Sequence, residues 1–303
     1  MLTTALQSYL ELRRAMGFAL HADAFRLRSF VRFATARGDT HVRAETVTEW
    51  AREARTAGER ARRLHAVRLW ARHLRAENPR HQMPAADQFG RYRPQRRRPF
   101  LFSSADLARL LDATRQMGPP TARRPHTFAA LFALLACTGM RVSEARRLTM
   151  RDLTPDGLLI QKTKFKKTRL VPLHLTATAA LVRYRRRWRR DAGADDPLFV
   201  STRGGPLALR TVEAVFQSLV KRLDLYRGRA RGPRIHDLRH TFAVRALETC
   251  PDSRDHVAEH MLALTTYLGH SHVAYTYWYL QATPHLMADV ADRAEKLVFG
   301  GAL

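Results

Sequence analysis

The chain has 303 residues, of which 45% are hydrophobic, so its length suggests about two domains and its composition allows a normal core. Its formal net charge is +26, from 53 lysine and arginine residues against 27 aspartate and glutamate residues. Such a positive surface favours a polyanion, and the phosphate backbone of a nucleic acid is the usual one. A membrane-spanning protein is excluded because no segment reaches about 18 uninterrupted apolar residues.

The N-terminus and the cysteines predict a cytoplasmic location. The first residues lack a basic stretch followed by a long apolar stretch, so no secretory signal is expected. Cys137 and Cys250 are the only cysteines and are far apart in the sequence, which fits a reducing compartment without a disulfide framework. Cys137 belongs to an apolar segment and is expected in the core.

Residues 1–90 predict a helical domain, because apolar residues recur at helical spacing in four segments. Arginines between positions 62 and 75 lie on the other faces of the fourth helix and are candidates for contact with a phosphate backbone, although they could equally be solvated. The residues that mark the four apolar faces are Leu2, Leu6 and Leu10; Phe25, Phe30 and Phe33; Trp50; and Leu64, Val67, Trp70 and Leu74.

Residues 91–99 interrupt this pattern with two prolines and several arginines, which predicts a basic linker. A basic linker between two basic domains suits a protein that closes around a duplex. The chain is therefore divided into residues 1–90, a linker at 91–99 and a second domain at 100–303.

The second domain is predicted to be mainly helical with a small antiparallel sheet. Two strands of a hairpin are predicted at Leu158–Gln161 and Thr168–Leu173. A further strand could form at the short apolar run Leu198–Val200. The segments with helical character are His126–Cys137, Thr176–Arg190, Leu209–Leu223 and the stretch that begins at His236. Arginines near the end of the second of these are further candidates for backbone contact.

The turn of the predicted hairpin has an unusual composition. Lysine occurs at only six positions in the chain, and four of them fall within residues 162–167, whereas the other basic residues are arginine. Lysine can give up its proton and arginine cannot, so this local exception suggests proton-transfer chemistry. The alternative is a solvated basic turn that touches phosphate.

A metal site is the first chemistry to consider, since His236 and His240 are four residues apart on a predicted helix. The zinc-protease pattern needs a glutamate directly after the first histidine, but Asp237 stands there and no cysteine is near. We therefore expect neither a metal nor another cofactor.

Five short segments concentrate reactive side chains, and their order resembles the tyrosine recombinase (phage integrase) family. The resemblance covers about residues 100–283 and, more loosely, the helical N-terminal part. The segments are Thr138-Gly-Met-Arg-Val-Ser-Glu144, the lysine hairpin that ends in Arg169-Leu-Val-Pro-Leu173, His236-Asp-Leu-Arg-His240, Leu268-Gly-His270 and Tyr275-Thr-Tyr-Trp-Tyr279.

The resemblance implies a set of catalytic residues and a mechanism. Tyr279, nine residues after His270, would be the nucleophile that cleaves a DNA strand by transesterification and forms a 3′-phosphotyrosyl bond. Arg141, Arg239 and His270 would bind the scissile phosphate, His236 would act as base, and Lys164 would protonate the leaving oxygen. The energy of the broken bond is conserved in the new one, so no nucleotide cofactor is implied.

Two departures from the family pattern leave alternatives open. Thr163 and Phe165 replace the glycines that flank the hairpin lysine, so Lys162 or Lys166 could take the place of Lys164. Three tyrosines occur within Tyr275–Tyr279, and only the spacing from His270 selects the last.

The resemblance also implies the partners. A double-stranded DNA with a specific site would be bound by both domains, the first being a core-binding domain and the second the catalytic domain, and four copies would assemble on synapsed DNA. The tail from about residue 280 would dock on a neighbouring subunit or pack on its own domain. The protein would be a nucleoid-associated bacterial recombinase of a mobile element. The alternatives are a topoisomerase-like or telomere-resolving enzyme with the same chemistry and a non-catalytic DNA-binding protein.

Overall fold

The structure is a computed structural model that describes residues 1–90, 92, 97–161, 168–226, 228, 231–249, 254–270 and 272–280. Three predictions lie outside these residues: the lysine cluster 162–167 with Lys164, most of the linker 91–99, and the tail from residue 281. The chain divides into two compact units, Met1–Arg97 and Arg98–Leu303. The division falls inside the segment that the sequence analysis assigned to a linker.

The first unit contains four helices around one core. They are α1 (Leu2–Ala15), α2 (His21–Ala36), α3 (Ala44–Arg52) and α4 (Ala57–Glu77). At the centre of this core, Trp50 and Trp70 both pack edge-on against Phe30, and all three side chains are almost fully buried. Helix α4 begins where the Thr56 hydroxyl accepts a hydrogen bond from the backbone N–H of Glu59.

One part of the predicted apolar face of α2 is wrong. Phe30 is fully buried, but the side chain of Phe25 is 71% exposed. Five residues along a helix correspond to a rotation of about 140°, so the two side chains cannot share one face. The core face of α2 is instead formed by Ala24, Leu27, Val31 and Ala34 together with Phe30.

The second unit is also mainly helical. Its helices are α5 (Ser104–Arg115), α6 (Arg123–Thr138), α7 (Val142–Ala145), α8 (Leu175–Trp188), α9 (Leu209–Arg222), α10 (His236–Glu248), α11 (Arg254–Leu268) and α12 (Ala274–Leu280). Helix α5 was not among the predicted helices, although its start is marked by a capping box between Ser103 and Asp106.

A three-stranded antiparallel sheet completes the second unit. Its strands are β1 (Leu153–Thr154), β2 (Gly157–Ile160) and β3 (Arg169–Val171), in the order β1-β2-β3. Ile160 pairs with Arg169, so the lysine cluster connects β2 to β3. The mainly helical fold with a small antiparallel sheet is therefore confirmed. Leu198–Val200 forms no strand, since the structure gives this region only isolated bridges, Thr149 with Pro197 and Val200 with Pro206.

Two clusters of buried side chains hold the second unit together. The larger joins α5, α6, the sheet, α8 and α9, and α6 contributes Phe128, Leu131 and Phe132. The smaller lies between α10, α11 and α12 and includes Tyr279. Cys137 belongs to neither and is exposed at the last turn of α6, which corrects its expected place in the core.

Candidate active site

The candidate site begins at the C-terminus of α6. Gly139 ends that helix in the left-handed region, with φ of +58°, and a Cβ atom there would lie 2.4 Å from the ring of Phe242. Glycine is therefore required both by the backbone and by the close approach of α10. The sharp reversal places Arg141 at the start of the short helix α7.

Arg141 is held by α7 and by the end of α11. Its Nη1 donates to Glu144 Oε1 at 2.9 Å, and its Nη2 donates to the carbonyl oxygen of Gly269 at 3.0 Å. The Arg141 side chain is 29% exposed, so part of the guanidinium faces the solvent. Each of the two terminal nitrogens carries a second N–H group, so the partly exposed guanidinium can still bind an oxyanion.

Glu144 is the buried anion beneath this arginine. Its carboxylate accepts two hydrogen bonds from Arg169, at 3.2 and 2.8 Å, besides those from the backbone and side chain of Arg141. Burial acts to raise the pKa of the Glu144 carboxyl, but Arg169 and then Arg141 lower it to about 2. Glu144 is thus a fixed negative charge that orients both arginines.

Arg239 lies deeper than Arg141, with 2% of its surface exposed. Its Nη1 donates to the Gly139 carbonyl and its Nη2 to the Leu268 carbonyl, both at 2.8 Å. These carbonyls end α6 and α11, where the helix dipoles are negative, so they favour the cation. Burial and then the charge of Arg141 lower the pKa of Arg239 to about 10, and it remains charged at neutral pH.

His270 follows α11 and contacts Arg239. Its Nε2 is 2.8 Å from Arg239 Nη2, and its Nδ1 is 2.8 Å from the Thr276 hydroxyl. Burial and then the neighbouring charges of Arg239 and Arg141 lower the pKa of His270 to about 3. Its ring also stacks on that of Tyr279, with centroids 6.1 Å apart and an interplanar angle of 16°.

Tyr279 is the tyrosine of α12 that points into the site. It is 3% exposed, whereas Tyr275 and Tyr277 are 46% and 55% exposed. Its side chain forms a hydrogen bond with Arg239, which opposes the fall in the pKa of that arginine. The structure therefore places Tyr279 beside Arg239 and His270, while Tyr277 lies at the surface.

His236 and His240 line the beginning of α10. Their rings are 4.6 Å apart, and His240 lies 5.4 Å from the ring of Tyr279. His236 is partly exposed to solvent. The burial of the rest of the residue and then the charge of Arg239 lower its pKa to about 4. Burial and then His236 lower the pKa of the buried His240 to about 3. Both imidazoles are neutral at pH 7, and a neutral imidazole can accept a proton.

Asp237 is engaged in hydrogen bonds at the start of α10. It is 1% exposed, and its carboxylate accepts hydrogen bonds from the backbone N–H and the side chain of Arg234 at the start of α10. Across the described residues, no group of three or more histidine, cysteine, aspartate or glutamate side chains is arranged to hold a metal ion.

The structure brings together five of the six predicted site residues: Arg141, His236, Arg239, His270 and Tyr279. Lys164 lies outside the described residues. Further side chains that were not proposed as site residues enter the network, among them Glu144, Arg169 and Thr276. Arg169 could have been found from its place in the hairpin pattern, whereas nothing in the sequence distinguishes Thr276 from the other threonines.

The model of the phage integrase family matches residues 102–285. The integrase/recombinase y4rB of Sinorhizobium fredii is 38% identical over 304 residues, which cover 96% of each chain. The tyrosine recombinase XerC of Xanthomonas axonopodis pv. citri is 36% identical over 168 residues, which cover 54% of this chain and 50% of XerC. The match to y4rB thus extends over both units.

Solved structures share the fold at low sequence identity. The Tn1549 transposon integrase in complex with transposon right end DNA matches with a TM-score of 0.65 and 18% identity, over 98% of this chain and 99% of that one. A lambda integrase tetramer bound to a Holliday junction matches with a TM-score of 0.62 and 17% identity, over 89% and 77% of the chains. By sequence and by fold, this chain belongs to the phage integrase family, the tyrosine-type site-specific DNA recombinases.

Proposed function

We propose that this chain cleaves and rejoins DNA strands at a specific site through a 3′-phosphotyrosyl intermediate on Tyr279. The observation that carries the proposal is the convergence of Arg239, His270 and Tyr279 within hydrogen-bond and ring-contact distance, next to Arg141, which is held on the Gly269 carbonyl. Two guanidinium groups stabilise the charge that accumulates on the non-bridging phosphate oxygens better than a point-charge ammonium would.

The covalent step conserves the number of phosphoester bonds. The Tyr279 oxygen attacks the phosphorus, the bond from phosphorus to the 5′ oxygen breaks, and the phenolic proton passes to a neutral imidazole, for which we propose His236. The 5′ oxygen leaves with a proton supplied by Lys164. Attack by another 5′ hydroxyl reverses these steps and reseals the strand, so no cofactor takes part.

The partner of this chemistry is double-stranded DNA that carries the recombination site. The formal charge of +26 supports it, and so does the shared fold with integrases solved on DNA. We infer that residues 1–90 and the catalytic part from residue 100 onward both bind the duplex.

The biological setting is also a proposal. We propose integration or transposition of a mobile element in the bacterial cytoplasm, on the nucleoid. The name integrase/recombinase of the relative y4rB supports the recombination itself. The lambda integrase tetramer supports assembly of four subunits on synapsed DNA. We further propose the tail from about residue 280 as a contact between subunits. None of the helices that the structure describes is long and apolar enough to cross a bilayer.

The test of the function is a covalent trap. The substrate is a randomised duplex library with a nick, so that the short fragment carrying the new 5′ hydroxyl is lost after cleavage and cannot reseal the strand. Covalent protein–DNA adducts should then accumulate, and sequencing the trapped DNA gives the site. With that site, Tyr279→Phe should form no adduct, because the ring remains but the attacking oxygen is gone. The adduct is measured by denaturing gel electrophoresis.

The matched controls are Tyr275→Phe and Tyr277→Phe, which remove hydroxyls that face the solvent. Both should still form the adduct. An adduct in Tyr279→Phe, or its loss in Tyr277→Phe alone, would contradict the assignment. Relaxation of supercoiled DNA without any joining of two DNA molecules would indicate topoisomerase-like activity instead.

A further inference from the structure

Thr276 forms the centre of a buried chain of hydrogen bonds that ends at His270. Thr276 is fully buried on α12, and its hydroxyl lies 2.8 Å from His270 Nδ1 and 2.8 Å from the Thr265 hydroxyl. Thr265, on α11, is 2.7 Å from the carbonyl oxygen of Met261. The chain thus runs from an α11 carbonyl to the imidazole.

The direction of every hydrogen bond in this chain follows from its first acceptor. The Met261 carbonyl can only accept, so the single hydroxyl proton of Thr265 points to it. Thr265 must then accept from Thr276, which uses its own proton in that bond. Thr276 can therefore only accept from the imidazole, so Nδ1 of His270 carries a proton.

The other ring nitrogen leads independently to the same tautomer. Nε2 of His270 is 2.8 Å from Nη2 of Arg239, and a guanidinium group can only donate. Nε2 must therefore offer its lone pair. Both ends of the ring agree on a neutral imidazole that is protonated at Nδ1.

We propose that Thr276 is a positioning residue that fixes this tautomer of His270 and ties the nucleophile's helix to it. Because Nδ1 already holds its proton, the next proton that His270 binds must go to Nε2, beside Arg239. When a phosphate takes over the Arg239 contact, that nitrogen is the one that can donate to a phosphate oxygen. The catalytic part of this inference rests on the proposed function, whereas the tautomer does not.

The same hydroxyl relates His270 to Tyr279. Thr276 and Tyr279 are three residues apart, so they lie on one face of α12. The hydrogen bond between Thr276 and His270 holds that face of α12 against the imidazole, and this placement brings the rings of His270 and Tyr279 into stacking contact. A loss of the bond should therefore change both the protonated nitrogen and the position of the nucleophile.

The first experiment reads the tautomer in the full-length protein without DNA. Long-range ¹H–¹⁵N correlation spectra of ¹⁵N-histidine-labelled protein at pH 7 distinguish the two ring nitrogens, and loss of one signal set in His270→Asn assigns His270. The wild type and Thr276→Ser should show the proton on Nδ1. Thr276→Val, which keeps the shape and removes the hydroxyl, should show a mixture or the proton on Nε2.

The second experiment separates binding from cleavage on the trapping substrate. Thr276→Val should lower the single-turnover cleavage rate by about tenfold, which corresponds to one buried hydrogen bond, and should leave the Kd for DNA nearly unchanged. Thr276→Ser should restore the rate. The control is Thr114→Val in α5, a fully buried threonine whose hydroxyl donates to the Leu110 carbonyl, and it should cleave normally.

Each outcome decides the proposal. A proton on Nε2 in the wild type, or a Thr276→Val variant with unchanged tautomer and rate, overturns it. If Thr276→Val does not fold, the wild type and Thr276→Ser decide, since Nε2–H in either one overturns the proposal and Nδ1–H in both supports it. If the wild type cleaves no DNA, the proposed function fails, and the tautomer is still measured independently.

Discussion

At the scale of single residues, the histidines around Tyr279 are surrounded by positive charge. Burial is the main reason why both His240 and His270 have a pKa of about 3, and the positive charge of Arg239 lowers both pKa values further. The arginines that would bind a phosphate thus also keep their histidine neighbours neutral in the free protein. A bound phosphate would reverse this effect by adding negative charge at the same place.

A pH dependence of stability follows from His240. Its folded-state pKa of about 3 is below the ordinary value of 6.5, so between these values the unfolded chain binds a proton that the folded chain does not. Stability should therefore fall as the pH decreases from 6.5, and His240 should contribute a slope of up to about 1.4 kcal/mol per pH unit. The measurement is urea unfolding of the free protein between pH 7 and pH 4.5.

The control for this prediction is His240→Asn, which removes the titrating group. Its unfolding free energy should vary less with pH than that of the wild type, whatever its stability at pH 7. Equal slopes in the two proteins would show that His240 does not titrate in the way its surroundings imply.

At the scale of elements, the site is a meeting point of helix ends. The C-termini of α6 and α11 direct their carbonyl oxygens at Arg239, and α11 also holds Arg141 through Gly269. A Cβ atom on Gly269, which has a φ of +67°, would lie 2.7 Å from the Arg169 guanidinium. The negative ends of two helices thus offset part of the repulsion between the clustered cations.

The close contact between α6 and α10 predicts a large effect at Gly139. Gly139→Ala adds a methyl group 2.4 Å from the Phe242 ring, which is stacked on Tyr267, and it also strains the backbone. We expect a loss of about 2–4 kcal/mol of stability from overpacking together with the left-handed backbone. Urea unfolding at pH 7 measures it.

The matched control is Gly204→Ala, because Gly204 also has a positive φ, of +86°, but no atom lies within 4 Å of its added Cβ. That variant should lose only about 1 kcal/mol, the cost of the backbone conformation. Similar losses in the two variants would mean that α10 moves away from α6 at little cost.

At the scale of the whole molecule, some arginines support the fold, whereas others are exposed and available for a partner. On α4, Arg63 donates to the Trp50 carbonyl at 2.7 Å and lies over the Trp50 ring, so it supports the core of the first unit. Arg68 donates to the Pro84 carbonyl, whereas Arg72 and Arg75 are exposed. Arg72 and Arg75 are therefore candidates for phosphate contact on α4.

This division predicts the salt dependence of DNA binding. Each phosphate contact contributes about −0.9 to the slope of log K against log salt concentration. The double variant Arg72→Gln/Arg75→Gln should reduce the steepness by roughly 2 if both residues contact phosphate. Fluorescence anisotropy with the trapped site between 50 and 300 mM salt, roughly the range in which such contacts weaken, measures it.

The control is Arg63→Gln, which should lower thermal stability and leave the salt slope unchanged because its guanidinium is engaged with Trp50. An unchanged slope in the double variant would remove this face of α4 from the DNA-binding surface.

Much of the fold could be read from the sequence, because helix and strand periods are local properties. The leucines of α1 and the tryptophans of α3 and α4 mark their buried faces directly, and the hairpin was found from two short apolar strands around a charged turn. The exceptions are side chains whose direction is set by rotation about the helix axis. Phe25 and Cys137 lie in correctly predicted helices and are nevertheless exposed.

The sequence by itself determined the family, the kinds of reactive residue and their order, because the order and spacing of motifs are properties of the linear sequence. Only the tertiary structure decided which tyrosine is buried beside Arg239, and which nitrogen of His270 carries its proton. The reason is that these properties depend on contacts across long stretches of chain, such as Arg141 with Gly269 and Arg239 with Gly139. Helix packing creates these contacts, and no local pattern encodes them.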